Sequence, residues 1–325
     1  MKKLLFIMVA IGGFMMNSCD KVENPFPPVV SNELDTTIYN GAWSDYVANE
    51  WPDFSVLPND DPNRNALIED MTGHNCSNCP AAGAIAHGIH LANPTRVFIA
   101  SIHAAATSTG TSTFQDVNLA AGFTVDFTNS QSKEMGSFFG TTLVNSGFFA
   151  NPSGTVSRTN VAGEYFVAQG SWQTKVDAVL ATPLQIAIKA KVNYFETPKH
   201  GFFLHTEVEK LDAAITNELG MIVYLMEDTL VAPQNVAGAS PNPVVNYVHR
   251  DIFRGCIDGQ TWGRTLTADM MTGTKYYLNY SYILPDQLVP AGNTSTHNAD
   301  NMHLLIYVYD KVTLEIYQII EKEIN

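Results

Sequence analysis

TGHNCSNCPAAGAIAH, residues 72–87, sets Cys76 and Cys79 two residues apart in a 325-residue chain that has only four cysteines. What flanks this stretch decides the fold. Ala66-Leu67-Ile68-Glu69-Asp70 is a short apolar strand candidate, and Met71 to Asn75 reads as a turn. Ala81 to Leu91 is small and helix-tolerant, with Pro80 near the first turn, where a missing N–H costs nothing. Arg96 to Ile102 then reads as a buried strand after the Asn93-Pro94 break. The order is strand, CxxC, helix, strand, a βαβ unit with the motif at its first junction, which makes a common tetrapeptide a thioredoxin-like signal.

At the start of a helix, free N–H groups and the helix dipole stabilise a thiolate at Cys76, and Cys79 one turn on can resolve a mixed disulfide. A protonated His74 would lower the Cys76 pKa further. The thioredoxin design also needs a proline, usually cis, facing the cysteines. Pro152, just before a strand expected at Gly154 to Arg158, stands at the right place in the order, and the Asn151 backbone would pair with a bound peptide. Three readings of the pair stand side by side: redox chemistry, a structural disulfide whose short loop adds little stability, or a metal held with His87 and His90. The metal set is strained, because both histidines follow Cys79 closely on one helix. His103 reads as a strand-end histidine.

The chain opens MKKLLFIMVAIGGFMMNSC: two lysines, an apolar run from Leu4 to Met16, then small polar residues and Cys19. This is a secretory signal whose apolar run is too short to span a bilayer. Met16-Asn17-Ser18-Cys19 resembles a lipobox, so residues 1–19 are expected to be removed up to Cys19, with Cys19 acylated, palmitate included. More than one acyl chain gives stable membrane anchoring. Formal charge then goes from -14 to -16 as Lys2 and Lys3 leave. So acidic a surface repels phosphate backbones and excludes nucleic acid as a partner. In an exported chain Cys76 pairs most naturally with Cys79, leaving Cys256 as a buried small hydrophobe or a free thiol.

Residues 20–64, rich in Asn, Asp and Pro, read as a tether and lead-in. Scattered aromatics between Ala104 and Phe149 read as mostly helical, and Ser171 to Leu180 has helical spacing. Beyond Pro183 the period becomes two at Leu184 to Tyr194, Phe202 to Val208 and Thr274 to Tyr282, while Met221 to Met226 is a fully apolar strand candidate and Leu304 to Ile320 reads as a closing hairpin. Residues 65–183 are therefore assigned to an α/β thioredoxin-like domain with a helical insertion, and 184–325 to an all-β, immunoglobulin-like sandwich. A long excursion from Ala232 to Gly263 carries His249-Arg250-Asp251, a polar trio that fits a solvated loop, an interdomain ion pair or a site. Tyr276, Tyr280 and Tyr282 fit the core or an exposed binding face. No Ser-His-Asp spacing, phosphate loop or paired carboxylate stands out, and no cofactor is called for.

Thr72, Gly73, His74, Cys76, Asn78, Cys79 and Pro80 after an L-I-E-D strand resemble the outer membrane protein 28-related family of Bacteroidetes lipoproteins. The P-S-G-x-V-x-R run at Pro152 to Arg158 and V-x-R-D at Val248 to Asp251 match it less specifically. The resemblance implies a thioredoxin-like domain followed by a β-sandwich, lipid-anchored at the outer membrane, facing the cell surface or the periplasm. Two functions follow as expectations. One is thiol–disulfide exchange on a protein or peptide thiol; the other is non-enzymatic, adhesin-like binding of a surface ligand on a thioredoxin scaffold.

Overall fold

The computed structural model describes residues 34–160, 163–284 and 299–325. The signal segment and Cys19 lie outside them. The apolar run after the lead-in forms β1 (Ala66–Thr72), and α2 (Cys79–Ala92) follows with Pro80 in its first turn; α1 (Trp43–Asn49) precedes both. β2 (Val97–His103) lies parallel to β1, with Ala66 against Val97 and Thr72 against His103. α3 (Ser130–Ser137) is capped by Asn129 and runs into a wider turn at Phe138–Thr142. β3 (Ser153–Val156) returns antiparallel to β1, β4 (Phe166–Val167) pairs with β3, and α4 (Trp172–Leu180) closes the first half. Most of the Ala104 to Phe149 stretch is loop, so the helical reading holds there only for α3 and its extension.

The alternating second half forms β5 (Ile186–Phe195), β6 (Gly201–Lys210), β7 (Leu219–Glu227), β8 (Leu230–Gln234), β9 (Val244–His249) and β10 (Ile252–Cys256). After them come β11 (Arg264–Thr265), β12 (Met271–Thr272), β13 (Lys275–Ile283), β14 (Met302–Asp310) and β15 (Ile316–Glu323). The protein is mostly β, with a few helices and several sheets. Nine strands make one mixed sheet in the order β15-β14-β7-β10-β2-β1-β3-β4, with β11 on β7; β12-β13-β6-β5 make a second sheet and β8-β9 a hairpin.

The large sheet therefore crosses residue 183. Its halves join where β10 runs parallel to β2, Ile252 beside Ser101, with the Ser101 amide donating to the Asp251 carbonyl at 2.7 Å. The change of period at 183 does not mark where the sheet ends. One face carries Leu67, Met71, Phe98, Ile102, Tyr224 and Tyr307 in a single cluster with Met135 and Phe139 from the α3 region. On the opposite face α2 and α4 cover Ile68, Val97, Ile99 and Val156. Beyond β10, alternate residues of β7 and β14 on that face share a core with β5, β6 and β13.

The lead-in is more than a tether from residue 34 onward. Tyr46 is fully buried, stacks on Trp43 with ring centroids 4.8 Å apart, and shares a 2.6 Å hydrogen bond between its hydroxyl and Nε2 of His205. Its aromatics dock on the outer face of β6 at Phe203. Burial of that much aromatic surface outweighs the local Asp, Asn and Pro content from which a tether was expected.

Candidate functional site

Period two along β1 sends Ala66, Ile68 and Asp70 to the α2 face and Leu67, Glu69 and Met71 to the other. The strand ends at Thr72, the chain turns at Gly73, and Cys76 and Cys79 close a disulfide with Cα atoms 5.5 Å apart. A side chain at Gly73 would strike the Phe114 carbonyl oxygen at 2.6 Å, so only glycine fits. Cys79 is the first residue of α2. The Asn151–Pro152 peptide bond is cis, as the order of elements suggested. Because Met71 pairs with Ser153, Pro152 stands level with Thr72, at the disulfide end of the sheet. The Asn151 side chain donates to the Ala104 carbonyl at 2.8 Å.

Both cysteines are buried, Cys76 2% and Cys79 3% exposed. The cover comes from the second half. Gln234 Nε2 donates to the carbonyls of Gly73 and Cys76 at 3.3 and 3.1 Å, the Asn235 amide to His74 at 2.8 Å, and the Ala237 amide to Ser77 at 2.9 Å. The long excursion thus packs over the CxxC turn.

His74 does not carry the charge expected of it. It is buried against Phe123, its Nε2 lies 2.9 Å from the Asp116 carbonyl, and burial lowers its pKa below the ordinary 6.5. A neutral imidazole supplies no positive field to Cys76. His103 and His249 are buried too, and burial takes His103 well below 6.5 and His249 to about 4. Phe127 packs 4.6 Å from each ring centroid, and the two imidazoles stand 6.1 Å apart. Cys76 and Cys79 spend their sulfurs on each other and His90 Nδ1 meets the Val97 carbonyl at 2.7 Å, so the four-ligand set with His87 is not assembled. Among the described residues no group of three His, Cys, Asp or Glu side chains is placed to hold a metal. Cys256 is a buried thiol on β10 whose pKa burial pushes up. Tyr280 is core, with the Arg264 guanidinium 3.9 Å from its ring centroid, and Tyr276 and Tyr282 pack against the same cluster.

A cavity of about 370 Å³ opens on the α2 face at the seam between β2 and β10, roofed by β9. Cys79 and Gly83 of α2, Asp70 of β1, and His249 and Asp251 line it. Asp70 is buried, its Oδ1 has no hydrogen-bond partner among the described residues, and burial raises its pKa to about 7. Burial likewise raises Asp251 to about 6. Reading Ala66 to Asp70 only as an apolar strand missed this carboxyl. The signal was there: two adjacent acids in a buried strand must face opposite sides, and each needs a reason.

With strand order β2-β1-β3-β4, the CxxC and the cis proline described, the fold can be compared with solved structures. The chain resembles HBP35 of Porphyromonas gingivalis in fold. That structure superposes with a TM-score of 0.58 at 15% identity, over 81% of this chain and 76% of that one. A structural-genomics protein of Agrobacterium tumefaciens overlaps at TM-score 0.47 and 11% identity, covering 82% of this chain and 96% of that one. A domain of the outer membrane lipoprotein Omp28 of P. gingivalis overlaps at 0.27 and 20% identity, over 43% of this chain and 88% of that domain. Neither of these two overlaps is close enough to bear on the fold. No protein-family model matches the chain, and no curated protein matches it.

Proposed function

We propose that this chain is a thiol–disulfide exchange protein of the bacterial envelope, with Cys76 and Cys79 as the reacting pair. The observation that carries the reading is Asp70. A fully buried carboxyl with an unpartnered oxygen costs several kcal/mol that a stapling disulfide gives no reason to bear. Reduction of the pair takes up two protons and oxidation releases them. A carboxyl that changes protonation near neutral pH, in the same cavity wall as Cys79, is suited to passing one of them. Pro152 and Asn151 would present a substrate chain, and Gln234 to Ala237 would have to lift for a protein thiol to reach Cys76.

The test is the reduction potential of the pair from pH 5 to 9 in the protein and in Asp70→Asn. The expected result is a potential above about -300 mV, with a pH dependence that the variant alters near pH 7. A potential below that value, unchanged by Asp70→Asn, makes the disulfide structural. That outcome favours the second reading, a binding protein of the Omp28-related kind built on a thioredoxin scaffold, for which the burial of both cysteines speaks. Export and acylation at Cys19 belong to the proposal under either reading. Labelled palmitate should enter the protein and not Cys19→Ala, and protease shaving of intact cells reports which side of the outer membrane it faces.

A further inference from the structure

The disulfide is approached differently from its two ends. Cys76 lies under Gln234 to Ala237, whereas Cys79 forms part of the wall of the 370 Å³ cavity. That volume falls in the range of small-molecule sites and is too small for a protein chain. The wall is rich in acceptors without partners. Among the described residues, Asp70 Oδ1, both ring nitrogens of His103 and Nε2 of His249 find no hydrogen-bond partner, and these three residues are more than nine-tenths buried. As neutral rings, His103 and His249 each keep one acceptor nitrogen. The Asp251 carboxyl adds another acceptor, while the one guanidinium in the wall, Arg250, pairs with Asp228 at 3.3 Å. An occupant that satisfies this wall is small, cationic and rich in N–H donors. One that also reacts with Cys79, a lining residue, carries a thiol.

We propose that the cavity is a docking site for low-molecular-weight aminothiols of the cysteamine class, which exchange with the disulfide at Cys79. The proposal rests on the exchange reading above and names its substrate. The thiolate attacks Sγ of Cys79, the Cys76–Cys79 bond breaks, and Cys76 leaves and takes a proton. The aminothiol is then bound to Cys79 as a mixed disulfide, its ammonium against Asp70 and Asp251. A second aminothiol attacks the sulfur of the first, releasing the oxidised dimer and the Cys79 thiolate, which is protonated through Asp70. Two thiols are oxidised to one disulfide, and one protein disulfide is reduced to two thiols.

The experiment follows reduction of the full chain by cysteamine, uncharged 2-mercaptoethanol and anionic 3-mercaptopropionate, with rates corrected for thiolate fraction. Cysteamine should exceed mercaptopropionate by about tenfold or more, with mercaptoethanol between. The order should survive high salt, which removes the effect of the chain's net -14 surface but not that of buried carboxyls. Gly83→Leu fills the cavity from a helix position whose Cβ would meet nothing within 4 Å, so the fold tolerates it. It should cut the cysteamine rate at least fivefold without moving the reduction potential. Mass spectrometry of the quenched reaction should place the adduct on Cys79. Equal corrected rates, a preference erased by salt, indifference to Gly83→Leu, or an adduct on Cys76 overturns the docking site while leaving exchange intact. Failure of every thiol to reduce the pair overturns both.

Discussion

Glu69 and Asp70 are neighbours on one strand, both buried, and the sheet treats them oppositely. Glu69 faces the common core, where Arg158 holds both its oxygens at 2.7 and 2.8 Å and Tyr224 donates at 2.8 Å. Arg158 also donates to the hydroxyls of Tyr224 and Tyr307 at 3.0 and 2.9 Å, so this network ties β1 and the turn after β3 to β7 and β14. Asp70 faces the cavity with one oxygen unpaired. A buried acid given a full set of partners holds elements together. A buried acid left partly bare beside a disulfide is the pattern of a site that exchanges protons or waits for a ligand.

Breaking the Glu69 side should have the largest effect. Arg158→Met leaves a buried carboxylate without its cation, held only by the Tyr224 hydroxyl, and should cost about 3–5 kcal/mol in urea denaturation, while Glu69→Leu with Arg158→Met should recover much of it. A loss under about 1 kcal/mol for the single variant would mean the network is not what joins the halves. On the other face the comparison predicts a pH signature. The folded pKa of Asp70, about 7, lies above the unfolded 3.8, so its stabilising contribution is full below about pH 4 and is lost as pH rises through 7. Asp70→Asn lacks that loss and should gain on the parent between pH 5 and 8 by about 4 kcal/mol at most. No relative gain would place a hidden partner on Asp70.

His249, in the same cavity wall, gives the opposite sign. Its pKa falls from 6.5 unfolded to about 4 folded, so stability is present above pH 6.5 and lost as pH falls through 4, by about 3 kcal/mol at most. His249→Gln should flatten the acid limb of a stability-versus-pH curve; an unchanged limb assigns acid sensitivity elsewhere. The smallest effect belongs to the cover. Gln234→Ala removes hydrogen bonds to Gly73 and Cys76 and should cost about 1 kcal/mol. It should also speed reduction of the disulfide by a protein dithiol, and an unaltered rate would show that the cover does not limit access to Cys76.

Much of the first half was legible because its signals are local. The apolar runs at 66 and 97, the small-residue helix behind Pro80 and the ordering of Pro152 all depend on neighbours in the chain, and the comparison with HBP35 is of the fold these elements build. In the second half, alternation located β5, β6 and β13, and an apolar run and a turn signal located β7 and the β14–β15 hairpin, for the same reason. It did not show that β10 adds to β2, nor that Tyr46 and Trp43 pin the lead-in against β6. Those contacts join residues far apart in the chain, and a strand's pattern says which face is buried without naming the neighbour.

The sequence by itself determined that Cys76 and Cys79 sit at a strand–helix corner, because propensity, turn chemistry and period two act over a few residues. Only the tertiary structure decided what surrounds that corner: Gln234 over Cys76, a cavity behind Cys79, and His74 neutral instead of charged. The physical reason is that burial and desolvation set the pKa of His74 and of Asp70, and both depend on which distant segments the folded sheet brings to pack there.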